Sequence, residues 1–86
     1  MNKYERIPDE IVDLHGFTRS DAEVLLRALP KTMHGKHVRI ITGTARGRES
    51  GPVIRPLVKA FLVKNKIAYA QSKIYNGGDG AFEVYL

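Results

Sequence analysis

An acid and an imidazole stand two residues apart in the run Ile11-Val12-Asp13-Leu14-His15-Gly16. The segment has strand character and stops at the glycine. Side chains at i and i+2 of a strand share a face. That spacing sets Asp13 beside His15 and turns Val12 and Leu14 the other way. A carboxylate beside an imidazole fixes its tautomer and stabilises its cation, which is what a general base or acid with an orienting partner requires. The same pair could serve only as a structural contact, with Arg39 on a neighbouring strand as a third member. Spacing alone favours that second use.

A second group of residues suits an anion. Thr42, Gly43, Thr44, Arg46, Gly47 and Arg48 open a segment with glycines at 43, 47 and 51. Glycine permits close backbone approach, and arginine supplies charge-assisted donors for phosphate oxygens. Arg55 lies just beyond. The pattern is not a P-loop, because no Lys-Ser/Thr pair follows. His34 and His37 are three apart but lack a third ligand nearby, so they read as exposed loop histidines and no metal or cofactor is expected.

These residues need a scaffold that brings them together. Residues 1–8 read as a polar entry arm and residues 9–86 as one domain. The first strand spans Asp9 to His15. A helix follows, capped by Thr18 or Ser20, with Asp21 and Glu23 in its first turn and an apolar stripe of Ala22, Leu25, Leu26 and Leu29. Pro30 is expected to interrupt it or end it at Leu29, and Lys31 to Lys36 to form a polar connection. Val38 to Thr42 is the second strand. A second helix runs from about Pro52 to Asn65, with Ser50 or Gly51 as cap and Val53, Leu57, Ala60, Phe61 and the Lys64 stem on its buried side. Pro56 should bend its first turn unless the regular helix starts there. Ile67 to Tyr75 is the third strand. Gly77, Gly78 and Gly80 form a structural turn needing positive φ, and Phe82, Val84 and Leu86 mark the inner face of a fourth strand.

The order is βαβαββ. Two helices for one mixed four-stranded sheet make a two-layer α/β sandwich with the other sheet face at least partly open. Parallel pairing of the first two strands would put Asp13, His15, Thr42, Gly43 and the Arg46/Arg48 loop on one sheet edge. The N-terminus of the second helix would arrive there too, and such an end attracts anions.

Composition bounds the possibilities. The chain has 86 residues, 43% hydrophobic and 27% charged, as in ordinary globular domains. No membrane span or signal pattern is visible. The absence of cysteine excludes disulfides and thiolate metal sites, and fits a cytoplasmic setting. Net charge is +5, and it is concentrated: between Arg27 and Lys66 ten Lys/Arg face one acid, Glu49. A basic middle between acidic ends suggests a polyanion partner, although a solvated lysine-rich surface would look the same. Tyr69, Tyr75 and Tyr85 read as core or half-buried strand residues, able to stack bases only if exposed.

Three blocks together resemble the Smr (small MutS-related) domain family. Val12-Asp13-Leu14-His15-Gly16 is similar to that family's LDLHG motif. Val38 to Gly43, the basic glycine loop and Gly51 to Pro56 are similar to its second block. Gly77 to Leu86 is similar to its closing GGxGAxxVYL. The resemblance implies a fold like the C-terminal domain of translation initiation factor three, with the last strand inserted antiparallel between strands two and three. It also implies nucleic-acid binding and, in many members, endonuclease activity on DNA or RNA. The family's Asp-x-His corresponds to Asp13 and His15 as catalytic residues. Its Thr/His-Gly-x-Gly corresponds to Thr42-Gly43-Thr44-Ala45, where Ala45 replaces the second glycine. A non-catalytic DNA- or RNA-binding module of a larger assembly is the alternative reading, and a protein–protein adaptor a third.

Overall fold

Val12 and Leu14 turn into the core while Ile11 and Asp13 face outward, so the alternation of the first segment is realised as strand β1, Glu10–Asp13. The computed structural model describes residues 7–43, 53–72 and 80–86. It continues with helix α1 (Arg19–Thr32), strand β2 (His37–Ile41), helix α2 (Ile54–Lys64), strand β3 (Ala68–Gln71) and strand β4 (Ala81–Tyr85). β1 pairs parallel with β2, and β4 lies antiparallel between β2 and β3, giving the order β1-β2-β4-β3. The βαβαββ order and the inserted last strand are those expected.

One apolar layer joins helices and sheet. Ala22, Leu26 and Leu29 of α1 and Ile54, Val58 and Leu62 of α2 are buried against Leu14, Val38, Ile40, Phe82 and Val84. β4 carries the most buried strand sequence, because both its edges are paired and one face lies under the helices.

Three expectations are corrected. Pro30 neither interrupts α1 nor ends it at Leu29; the helix runs to Thr32. Proline removes the donor that would reach the carbonyl four residues back, but here that loss falls in the last turn, and Met33 N–H still closes on the Leu29 carbonyl at 2.8 Å. The buried side of α2 is also rotated by one position. Ile54, Val58 and Leu62 are buried and Leu57 and Phe61 partly so, while Ala60 and Lys64 are exposed. The apolar stripe is two residues wide, and the sequence does not say which column faces the sheet. Finally, the α2 cap is Val53, which makes no side-chain cap hydrogen bond, rather than Ser50 or Gly51. Pro56 then sits in the first turn, where its missing N–H has no helical partner to lose.

Both helices have defined ends. Thr18 caps α1, its Oγ accepting the Asp21 N–H at 3.2 Å. At the end of α2, Lys66 takes φ 56°. Its N–H reaches Val63 O at 3.1 Å, and Ile67 N–H reaches Leu62 O at 2.9 Å. That is the Schellman arrangement, with a lysine where glycine is usual.

Candidate functional site

Asp13 is the last residue of β1, and Leu14 N–H extends the ladder by donating to Ile41 O at 2.7 Å. His15 lies beyond the strand, in a turn closed by Phe17 N–H on Leu14 O at 3.0 Å. Gly16, the third residue of that turn, has φ +82°, the left-handed value a type II turn needs there. Strand alternation is therefore not what sets His15 beside Asp13, as its spacing suggested; a carboxylate-anchored turn does so. Asp13 Oδ1 accepts both the His15 backbone N–H at 3.0 Å and the ring, at 2.6 Å from Nδ1.

This double anchor has chemical consequences. With Nδ1–H donating to the carboxylate, the neutral ring presents Nε2 as an acceptor; the tautomer is assigned from that hydrogen bond. The pair is open to solvent, with side chains 69% exposed for His15 and 46% for Asp13. The hydrogen bond from the His15 ring, then that from its backbone N–H, holds the Asp13 carboxyl below its usual range.

The end of β2 meets this turn. Gly43 has φ +76°, and a Cβ placed on it would lie 3.4 Å from His15 Cβ. That distance is ordinary van der Waals contact, so it is the left-handed backbone that favours glycine here. Thr42 is buried. The Gly80 carbonyl accepts from Thr42 N–H at 2.7 Å, from Gly43 N–H at 3.0 Å and from Thr42 Oγ at 3.2 Å. Thr42 and Gly43 were expected to belong to a phosphate site. The two N–H groups tie the end of β2 to the start of β4, while the Thr42 hydroxyl lies within reach of two main-chain carbonyls, Gly43 O at 3.1 Å and Gly80 O at 3.2 Å. Thr44, Ala45, Arg46, Gly47, Arg48, Gly77 and Gly78 lie outside the described residues.

Arg55 is placed elsewhere. Its guanidinium sits 4.4 Å from the centre of the Phe82 ring, and Nη2 donates to Gln71 Oε1 at 3.3 Å. It therefore stands over β4 and β3, across the sheet from β1, and nothing brings it to the Asp13–His15 pair. Its Nη1 is buried and has no hydrogen-bond partner among the described residues.

Sequence reasoning missed a second cluster, on the sheet face away from the helices. Glu83 of β4 meets His37 Nε2 at 2.6 Å and Arg39 Nε at 2.7 Å, and it accepts the Ser72 hydroxyl. His37, Arg39 and Glu83 are only 12%, 14% and 13% exposed. His37 is thus the first residue of β2 and half-buried, not an exposed loop histidine; His34 is exposed. Arg39 pairs with Glu83, not with Asp13 and His15. Burial pushes the Glu83 carboxyl up, but the hydrogen bonds from Ser72, Arg39 and His37, with the Arg39 charge, outweigh it and hold the group below the usual range. The legible signal was the alternation of His37 and Arg39 with Val38 and Ile40. Their partner appears only once β4 is known to lie beside β2. Among the described residues no group of three or more His, Cys, Asp or Glu could hold a metal ion.

The Smr domain family model matches residues 12–86. The chain belongs to the Smr domain family. Its fold matches the crystal structure of a human small-MutS related domain with TM-score 0.59 and 27% identity, covering 88% of this chain and 99% of that one. The solution structure of the B3BP Smr domain matches with TM-score 0.55 and 20% identity over 88% of this chain and 76% of that one, a likeness of fold. A search of curated proteins gave no match. The match includes Asp13 and His15, and the structure shows their segment as strand end, anchored turn and helix cap in immediate succession.

Proposed function

We propose that this Smr domain binds nucleic acid and cleaves its phosphodiester backbone, with His15 as the proton-transferring group and Asp13 as its orienting partner. The observation that supports this is the exposed imidazole, fixed through Nδ1 and presenting Nε2 to solvent at the sheet edge. On RNA, Nε2 would take the proton of a 2′-hydroxyl as that oxygen attacks the adjacent phosphorus, and the 5′-oxygen of the next nucleotide would leave. On DNA, the same nitrogen would take a proton from water. Because the donors of Thr42 and Gly43 serve main-chain carbonyls, charge developing on the phosphate would be met by Arg46 and Arg48.

The test is a denaturing gel with labelled single-stranded RNA and with supercoiled plasmid, with and without EDTA, comparing the parent with His15→Ala. Loss of a positioned acid–base group lowers the rate about 10²–10⁴-fold. Equal rates for parent and variant would remove His15 from the chemistry. A second reading, binding without cleavage, draws on Ala45 in place of the family's second glycine and on the committed donors of Thr42 and Gly43. It predicts shifted bands on a native gel and intact substrate in every denaturing lane. In either case affinity should fall steeply with rising salt.

A further inference from the structure

The strand register arranges the helix-free sheet face in three cross-strand rows. The first holds His37, Tyr85 and Ala68, the second Ile11, Arg39, Glu83 and Ala70, and the third Asp13, Ile41 and Ala81. Asp13 closes the third row, with His15 just beyond it. The Glu83 cluster and the candidate catalytic pair therefore lie on the same face of the sheet, which is covered at Ala81 and Ser72 but exposed at Ile11 and Asp13.

The first row contains a prepared aromatic surface. The Tyr85 and His37 rings are stacked, centres 4.8 Å apart and planes 25° from parallel. His37 is itself fixed: Glu83 holds its Nε2 at 2.6 Å, and Asp9 Oδ2 accepts its backbone N–H at 2.8 Å. Tyr85 remains 42% exposed. On its other side the register partner is Ala68, exposed and too small to cover a ring. A phenol ring held on one side and open on the other suits a planar guest, because little side-chain freedom remains to be lost on stacking. The charge beneath it is neutralised, since Arg39, Ser72 and His37 all donate to Glu83.

From this arrangement we infer that Tyr85 is a base-stacking subsite, and that the preferred substrate of this Smr domain is an unpaired stretch of nucleic acid lying along the helix-free face toward Asp13 and His15. The inference rests on the nucleic-acid reading above and adds the strandedness of the substrate and its path. The first and third rows are four residues apart along β2, roughly 13 Å at the usual strand rise, so one bound strand spans both. A base within a duplex keeps its faces against its neighbours and cannot stack on Tyr85. The net charge of +5 attracts the backbone whatever its sequence.

The test measures fluorescence anisotropy of a labelled short oligouridylate and of a blunt RNA duplex of equal length at low salt. The proteins are the parent, Tyr85→Phe and Tyr85→Leu, with thermal melts to verify that each is folded. Tyr85→Leu keeps apolar bulk but removes the ring. It should weaken single-strand binding about tenfold or more, leave duplex binding unchanged, and differ from Tyr85→Phe, which should match the parent. Equal single-strand affinity for the Leu variant and the parent overturns the subsite while leaving the nucleic-acid reading intact. A parent that binds neither probe overturns both. A parent that self-associates, with Tyr85→Leu abolishing the association and not the binding, assigns the face to a second copy and overturns the subsite.

Discussion

Asp13 accepts two hydrogen bonds from one neighbour, and this sets how the site responds to acid. Its folded pKa lies below the ordinary value, which is about 3.9 for aspartate. Between those two values the unfolded chain binds the extra proton. The contribution of the pair is thus present above the unfolded value and is lost as pH falls through the folded one. An NMR titration of the Asp13 carboxyl carbon should give a midpoint below about 3.9 in the parent and a higher midpoint in His15→Ala. An unchanged midpoint in the variant would show that the histidine is not the cause. The pairing of these residues was legible in the spacing; the means of pairing was not. The i, i+2 rule predicted neighbours on a strand, whereas His15 had already left the strand and is held by its backbone as well as its ring. That Thr42 and Gly43 lie beside the Asp13–His15 turn was legible from parallel pairing of β1 and β2, but their donors could be assigned only once the Gly80 carbonyl was located.

At the scale of elements, patterns that need only local information survived over most of α1. Thr18, Asp21 and the stripe of α1 gave that helix its start and its buried side. The local rules for Pro30 and for the α2 cap failed at helix ends, where one turn more or less changes little, and the remaining failure required knowledge of a neighbour. The α2 stripe is two columns wide, and only the position of the sheet selects Ile54, Val58 and Leu62. The end of α2 offers a direct test. Lys66 holds a left-handed conformation that costs an L-residue about 1–2 kcal/mol, while glycine loses more backbone freedom on folding. Lys66→Gly should therefore stabilise the domain by a net of about 1 kcal/mol in urea denaturation. No gain would mean that contacts of the lysine stem compensate for the strain.

Across the whole molecule, the order β1-β2-β4-β3 makes the Glu83 cluster possible, since it joins β2, β3's end and β4 on one face. Glu83→Gln retains the shape but removes the charge that Arg39 faces. At neutral pH it should cost on the order of 2–3 kcal/mol, a large share of the roughly 5–15 kcal/mol available to a small domain. Because the folded Glu83 carboxyl lies below the ordinary range, its contribution holds above the unfolded value, about 4.3, and is lost as pH falls through the folded value. Melting curves of parent and variant should therefore differ clearly at neutral pH and converge in strong acid; a constant gap would remove the charge from the account. The inserted strand was foreseen from the family resemblance, not from hydropathy, which cannot order strands within a sheet. The same insertion governs how the chain is made. During synthesis β2 (His37–Ile41) leaves the ribosome well before β4 and lacks the neighbour on its inner edge until Ala81–Tyr85 has emerged, whereas β3 (Ala68–Gln71) precedes β4 only briefly. The nascent chain thus carries the open inner edge of β2 through the synthesis of α2 and β3, and its sheet closes from the middle in one late step, the interval in which strand-to-strand misassociation competes with folding.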